Sequence, residues 1–191
     1  RLGSTTHFYL RAALRQVGID PEKEVTILQL GTGTEAVSAL ENGRIAMAAL
    51  TIRYALPLLQ RNWPMFVDLS TTDLVYPSSC VASSRNFVKN EPKVVDDFLR
   101  AYVAAIQLIK KDQNFAEKTF AKWLREKDPY LIKKTVESYA KLFKSTPYVP
   151  DKGIETVMKD LASRRPISKE FIGRPELFRD NAPLEKALSR P

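Results

Sequence analysis

The chain has 191 residues, 44% hydrophobic and 27% charged, a composition that excludes a disordered chain and is long enough to bury a core. Its one cysteine, Cys80, excludes an internal disulfide and a zinc site built on paired cysteines, and no apolar run reaches the roughly 20 residues that span a bilayer. The formal charge of +8 raises nucleic acid as a partner, yet residues 1–80 carry seven basic and seven acidic groups, so the excess falls in 81–191, with 23 against 15. There the cations are dispersed among Glu and Asp on polar helix faces, which is the pattern of a solvated surface rather than of a stripe that tracks phosphates.

In chain order, Gly3-Ser4-Thr5-Thr6 leads into a mostly buried helix carrying Phe8, Leu10, Ala12, Leu14 and Val17, with Gly18 as its C′ residue. Val25–Leu30, β-branched and apolar, reads as a buried strand. Gly31-Thr32-Gly33-Thr34 turns into a second helix that Asn42-Gly43 stops. Arg44–Leu50 is a second strand, Arg53–Asn62 a short helix before Trp63-Pro64, and Met65–Ser70 a third strand. This alternation predicts a parallel α/β sheet covered by helices on both faces.

Cys80–Val88 reads as one more strand, with Cys80 a small buried hydrophobe; beyond Asn90 the pattern is helical. Pro92 sits in the first turn of a helix with Val95, Phe98, Leu99, Tyr102, Ile106 and Ile109 on one face. A second covers about 115–125, and Asp128-Pro129 caps a third with Ile132, Val136, Tyr139 and Phe143 inward. Asp151 opens a fourth with Ile154, Val157, Met158 and Leu161 inward, and the tail from Pro166 is irregular with a short helix around 184–190.

Three turns carry the candidate chemistry. Helix starts leave amide donors unpaired and favour an anion, and Ser4, Thr5 and Thr6 add hydroxyl donors; a simple N-cap explains the same residues. Gly31 and Thr32 open the next turn, which lacks the third glycine of a dinucleotide fingerprint, Ala36 standing there, and lacks a Walker lysine. At the third turn Thr51 precedes Arg53, a cation opposed by the helix dipole unless it meets an anionic ligand; a surface arginine is the alternative. Carboxyl ends of parallel strands converge on one crevice, so these turns predict a binding site there. Catalysis has little support: His7 has no evident carboxylate or cysteine partner and reads as an exposed or capping histidine, and no metal spacing or nucleophile elbow occurs.

The run from Gly3 to Thr51, including "VGIDPEKEVTILQL" and "SALENGRIAMAAL", resembles the second lobe of ABC-transporter substrate-binding proteins of the nitrate/sulfonate/taurine group, to which the thiamine-pyrimidine proteins are related. "VYPSSCVASSRNFVKNEPKVVDDFLRAYVAAI" and "TPYVPDKGIETVMKDLA" resemble its later segments, and Met47 departs from the pattern, which usually has Asp there. The resemblance implies a type II periplasmic-binding-protein α/β fold, with residues 1–76 as lobe two lacking its leading strand. Residues 77–191 would be the return to lobe one, with the hinge near Tyr76-Pro77. It implies that Ser4, Thr5, Thr6, Gly31, Thr32, Thr51, Arg53 and Tyr76 line an interlobe cleft for a small anionic or polar solute. It further implies an ABC permease as partner, a periplasmic or membrane-anchored location outside the inner membrane, a monomer, and no metal, cofactor or nucleic acid. Two alternatives stand beside it. One is a pyrimidine-synthase-like enzyme of the same fold, for which Cys80 and His7 lie in unsuitable surroundings; the other is a basic helical interaction module.

Overall fold

The structure, a computed structural model, describes residues 2–189. Its helices are α1 (Thr5–Gln16), α2 (Gly33–Glu41), α3 (Ile52–Gln60), α4 (Arg85–Asn90), α5 (Pro92–Lys111), α6 (Gln113–Leu124), α7 (Pro129–Leu142), α8 (Asp151–Ala162) and α9 (Ala182–Leu188). Short 3-10 turns lie at Leu69–Thr71, Lys169–Phe171 and Pro175–Leu177. The local signals act where the sequence puts them. Asp128 accepts from the amides of Tyr130 and Leu131 with Pro129 in the first turn, so α7 begins there. Gly18 (φ +82°) and Gly43 (φ +65°) reverse the chain just after α1 and α2 in the left-handed region that a side chain resists.

The α/β sheet expectation is overturned. Among the described residues there is no strand, and the chain is not a type II periplasmic-binding fold built on a sheet. Residues 25–30 and 44–50 carry no helix or strand and exchange no backbone hydrogen bond with one another, while 65–68 lead into the Leu69–Thr71 turn. Asp68 nucleates that turn by accepting from the Ser70 amide. Cys80–Val88, expected as a strand, instead enters α4, which Ser84 caps through the Phe87 amide; Cys80 is exposed rather than buried. The physical reason is that β-branched apolar residues suit a pleated, half-buried surface only where a neighbouring strand supplies the ladder. Here Leu28, Met47, Met65 and Phe66 face solvent instead.

What is packed is helical and centres on α5, which touches α4, α6, α7 and α9, while α3 lies on α7. The core collects Leu56 and Leu58 of α3, Val103 and Ile106 of α5, Ala116 of α6, Val136 of α7, and Leu184 and Ala187 of α9. Each large aliphatic there stabilises the fold by about 1.5–3 kcal/mol relative to exposure. On α5 the buried face runs through Asp96, Val103 and Ile106, so it is rotated from the expected stripe. Phe98 is half exposed and stacks on Tyr102 with centroids 6.1 Å apart. Asp96 is held by Arg100 at 3.2 Å one turn on.

The whole chain exposes 13392 Å², whereas a compact monomer of 21.7 kDa exposes about 9,200 Å². One close approach sets the start of α2 against α3, where a Cβ on Gly33 would overlap the Tyr54 ring. Gly33→Ala is therefore expected to destabilise the chain by about 1–3 kcal/mol in urea unfolding. In a double-mutant cycle with Tyr54→Ala the two losses should be clearly non-additive; additive losses would show that this contact does not couple the helices.

Candidate functional site

Ser4 takes the extended N-cap conformation (φ −82°, ψ 172°) yet makes no side-chain cap. Its hydroxyl instead lies 3.0 Å from that of Thr6. The first amides of α1, on Thr5, Thr6 and His7, have no acceptor within the helix, and the Phe8 amide is the first to find one, at Ser4 O. The Thr5 side chain lies beside the Tyr76 phenol. The Tyr76 ring is stacked on Phe8 (centroids 4.0 Å, planes 17° apart) and tilted against Tyr9 at 5.5 Å. Burial, then the Asp160 carboxylate, pushes the Tyr76 phenol above its ordinary value, so it remains a neutral donor.

His7 caps the approach, its Nδ1 accepting from the Gly3 amide at 3.0 Å. Burial first, then the Arg11 and Arg164 cations, hold its imidazole below the usual histidine range. Beneath lies a feature the sequence reading missed. Arg11 is 1% exposed, three residues from both Phe8 and Leu14 on the buried face of α1. Its guanidinium pairs with Glu22 at 2.6 Å and, at 3.6 Å, with Asp160 of α8; Asp160 also pairs with Arg164 at 2.6 Å. The signal that could have revealed it was an arginine sharing the inward arc with two apolar residues. Residues 75–77 enter between α1 and α8: Tyr76 faces Phe8, and Val75 and Pro77 approach Gly153 at the place a Cβ would occupy.

Ser4, Thr5, Thr6 and Tyr76 are thus brought together. The other predicted residues are placed differently. At α2, Thr32 forms a capping box with Glu35, whose carboxylate accepts from the Thr32 amide and lies over Gly31, where a Cβ would collide with it. That helix start already holds an anion of its own. Its link to α1 is the Leu2 amide, which donates to Gln29 Oε1 at 3.1 Å. Thr51 caps α3 in backbone conformation only. Arg53 turns toward α6 and α7: it donates to Leu124 O at 3.4 Å, lies over the Tyr54 ring at 5.5 Å, and lines a narrow cleft with Phe120, Leu131 and Thr135. With no strands, these three turns are helix starts and not the tips of a sheet.

Among the described residues no helix is long and apolar enough to cross a membrane, and no group of three or more His, Cys, Asp or Glu could hold a metal ion.

The arrangement is that of a helical protein with a hydroxyl-rich, partly open helix terminus backed by an aromatic wall and a buried ionic cluster. The model of the NMT1-like family matches residues 1–125, about two-thirds of the chain, and the chain belongs to that family. This agrees with the resemblance to the nitrate/sulfonate/taurine group. Searches of curated proteins and of solved structures found no match.

Two expectations test the cluster. Asp160→Ala leaves the sealed Arg11 cation with Glu22 alone, and should cost about 3 kcal/mol in chemical denaturation; a loss under about 0.5 kcal/mol would mean that water already reaches the pair. For His7, a folded-state value below the ordinary 6.5 means that the unfolded chain takes up the proton first. Its stabilisation is therefore complete above about pH 6.5 and is lost as pH falls through 6.5 toward the folded value. Melting temperatures from pH 8 to 5 should fall less steeply for His7→Gln than for the parent; parallel curves would remove His7 from the account.

Proposed function

We propose that this chain is a solute-binding component of an ABC importer, not an enzyme, and that it takes a small anionic or polar organic solute at the start of α1. The single observation that carries the reading is membership of the NMT1-like family across residues 1–125, a span that includes every residue of the α1 cluster apart from the α8 pair Asp160–Arg164. The geometry supports it in chemical terms. An acceptor group of the solute takes hydrogen bonds from the amides of Thr5, Thr6 and His7 and from whichever of the Ser4 and Thr6 hydroxyls does not donate to the other, at the positive end of the helix dipole. The stacked Tyr76 and Phe8 rings give a flat wall for an organic body. His7, kept neutral, adds no charge, whereas Arg11 and Arg164 bias the neighbourhood toward an anion and Asp160 offsets part of that bias.

In this reading the chain works as a monomer outside the inner membrane and delivers its solute to a membrane permease, with no cofactor, metal or nucleic acid involved. The α2 start takes no part because it already carries the Glu35 carboxylate, and Arg53 contributes packing between α3 and the α6–α7 pair.

A thermal-shift screen of inorganic anions, sulfonates and pyrimidines finds the solute class, since ligand at 100 times its dissociation constant adds about 2.7 kcal/mol. Isothermal titration with the best hit should then show Thr6→Ala weakening binding about tenfold or more, in keeping with about 1.5–3 kcal/mol for a hydrogen bond to a charged group, and Tyr76→Ala, which removes the aromatic wall, weakening it as well. Arg53→Ala should leave affinity within about twofold while lowering stability. Unchanged affinity in Thr6→Ala and Tyr76→Ala together would take the site away from α1.

A further inference from the structure

The apolar stripe of α8 was expected to face inward against the rest of the chain. It faces a cleft instead. Ile154, Val157, Met158 and Leu161, spaced i, i+3, i+4 and i+7, line one side of an opening of about 370 Å³. The far wall is Phe171 and Phe178, whose rings brace each other edge to face at 5.5 Å and 73°. Packed interiors leave few voids larger than a water, so a gap of this size between apolar surfaces is not ordinary core.

The wall is fixed in place independently of the gap. Arg179 pairs with Asp151 at the first turn of α8, one arm at 3.0 Å. Asn181 exchanges two hydrogen bonds with the backbone of Val149, at 3.1 and 3.2 Å. The Pro175–Leu177 turn also packs on α8. These ties hold the 168–181 segment across the helix face without closing the space beneath it.

Only two of the lining residues are polar, Arg165 and Ser168, both near the end where α8 runs out. The Ser168 hydroxyl is taken by Glu170 at 3.0 Å. Arg165 lies three residues past the last residue of α8, and among the described residues its guanidinium forms no ion pair. An apolar slot with one free cation at its mouth is complementary to a single-chain amphiphile bearing one negative charge. The volume lies at the lower end of small-ligand pockets, and a methylene occupies about the space of a water, roughly 30 Å³, which sets a chain of about eight to twelve carbons.

We propose that the cleft between α8 and the 168–181 segment is a second binding site, which takes a medium-chain alkyl carboxylate with its tail along Val157, Met158 and Phe178 and its head on Arg165. This site uses none of the residues of the α1 cluster, so it stands or falls separately from the function proposed above.

The test is isothermal titration of the full chain with decanoate, decanol and decyltrimethylammonium, each below its micelle concentration. Decanoate should bind saturably at one per chain, decanol at least tenfold more weakly and the cation not at all. Arg165→Ala should weaken decanoate at least tenfold and leave decanol unchanged, because it removes the charge and not the slot. Met158→Trp, which fills the slot, should abolish binding of both without lowering the melting temperature; if that variant does not fold, Phe178→Ala, at an exposed position, should weaken both. The proposal is overturned if decanoate fails to saturate, if the cation binds as well, or if Arg165→Ala has no effect. It is overturned as well if sedimentation velocity finds a dimer that Phe178→Asp disperses, since the slot would then belong to a second copy of the chain.

Discussion

The Arg11 guanidinium is the group on which the placement of α1 depends. Sealing a cation from water costs several kcal/mol, and it is tolerated only where carboxylates meet it in a fixed geometry. Glu22, just past α1, and Asp160, on α8, do so from two directions. The cluster therefore contributes less to net stability than to position, because Arg11 meets Asp160 only where α1 lies against α8, and its buried guanidinium is paired by charge rather than by hydrogen bonds. From that pose follow the stacking of Phe8 on Tyr76 and the burial that lowers the His7 pKa and raises that of Tyr76.

The same constraint separates the two helix starts that looked alike. At α2 a glutamate three residues past the cap folds back onto the Thr32 amide while Thr32 accepts from the Glu35 amide, so that end already carries a carboxylate of its own. At α1 the corresponding position is His7, which turns to the Gly3 amide on the entering chain and leaves the helix's own donors free. A carboxylate against an imidazole at the N3 position thus decides whether a helix terminus is structural or available.

Elsewhere the chain is loosely joined. Helices α3 to α7 and α9 form a packed body, whereas residues 25–30, 44–50 and 65–68 hold apolar side chains at the surface without a ladder. Exposed apolar side chains occur on these segments and also on the packed helices, where Trp123, Phe115 and Leu142 face solvent. The segments are places where sequence pattern asks for burial and the tertiary arrangement supplies no cover.

The sequence by itself determined what is local. Asp128 with Pro129 set the start of α7, Gly18 and Gly43 ended α1 and α2, and the hydroxyls of Ser4, Thr5 and Thr6 marked the start of α1. These features rest on contacts within four residues, so the order of residues is enough to specify them. Only the tertiary structure decided that Val25–Leu30 and its fellows remain unpaired, that Arg53 serves α6 and α7, and that Arg11 lies buried against Asp160. Each of those depends on a partner 70 or more residues away, or on a neighbouring strand that periodicity cannot provide. A side chain's hydrophobicity states that it favours cover, whereas what covers it is settled by which distant surface arrives.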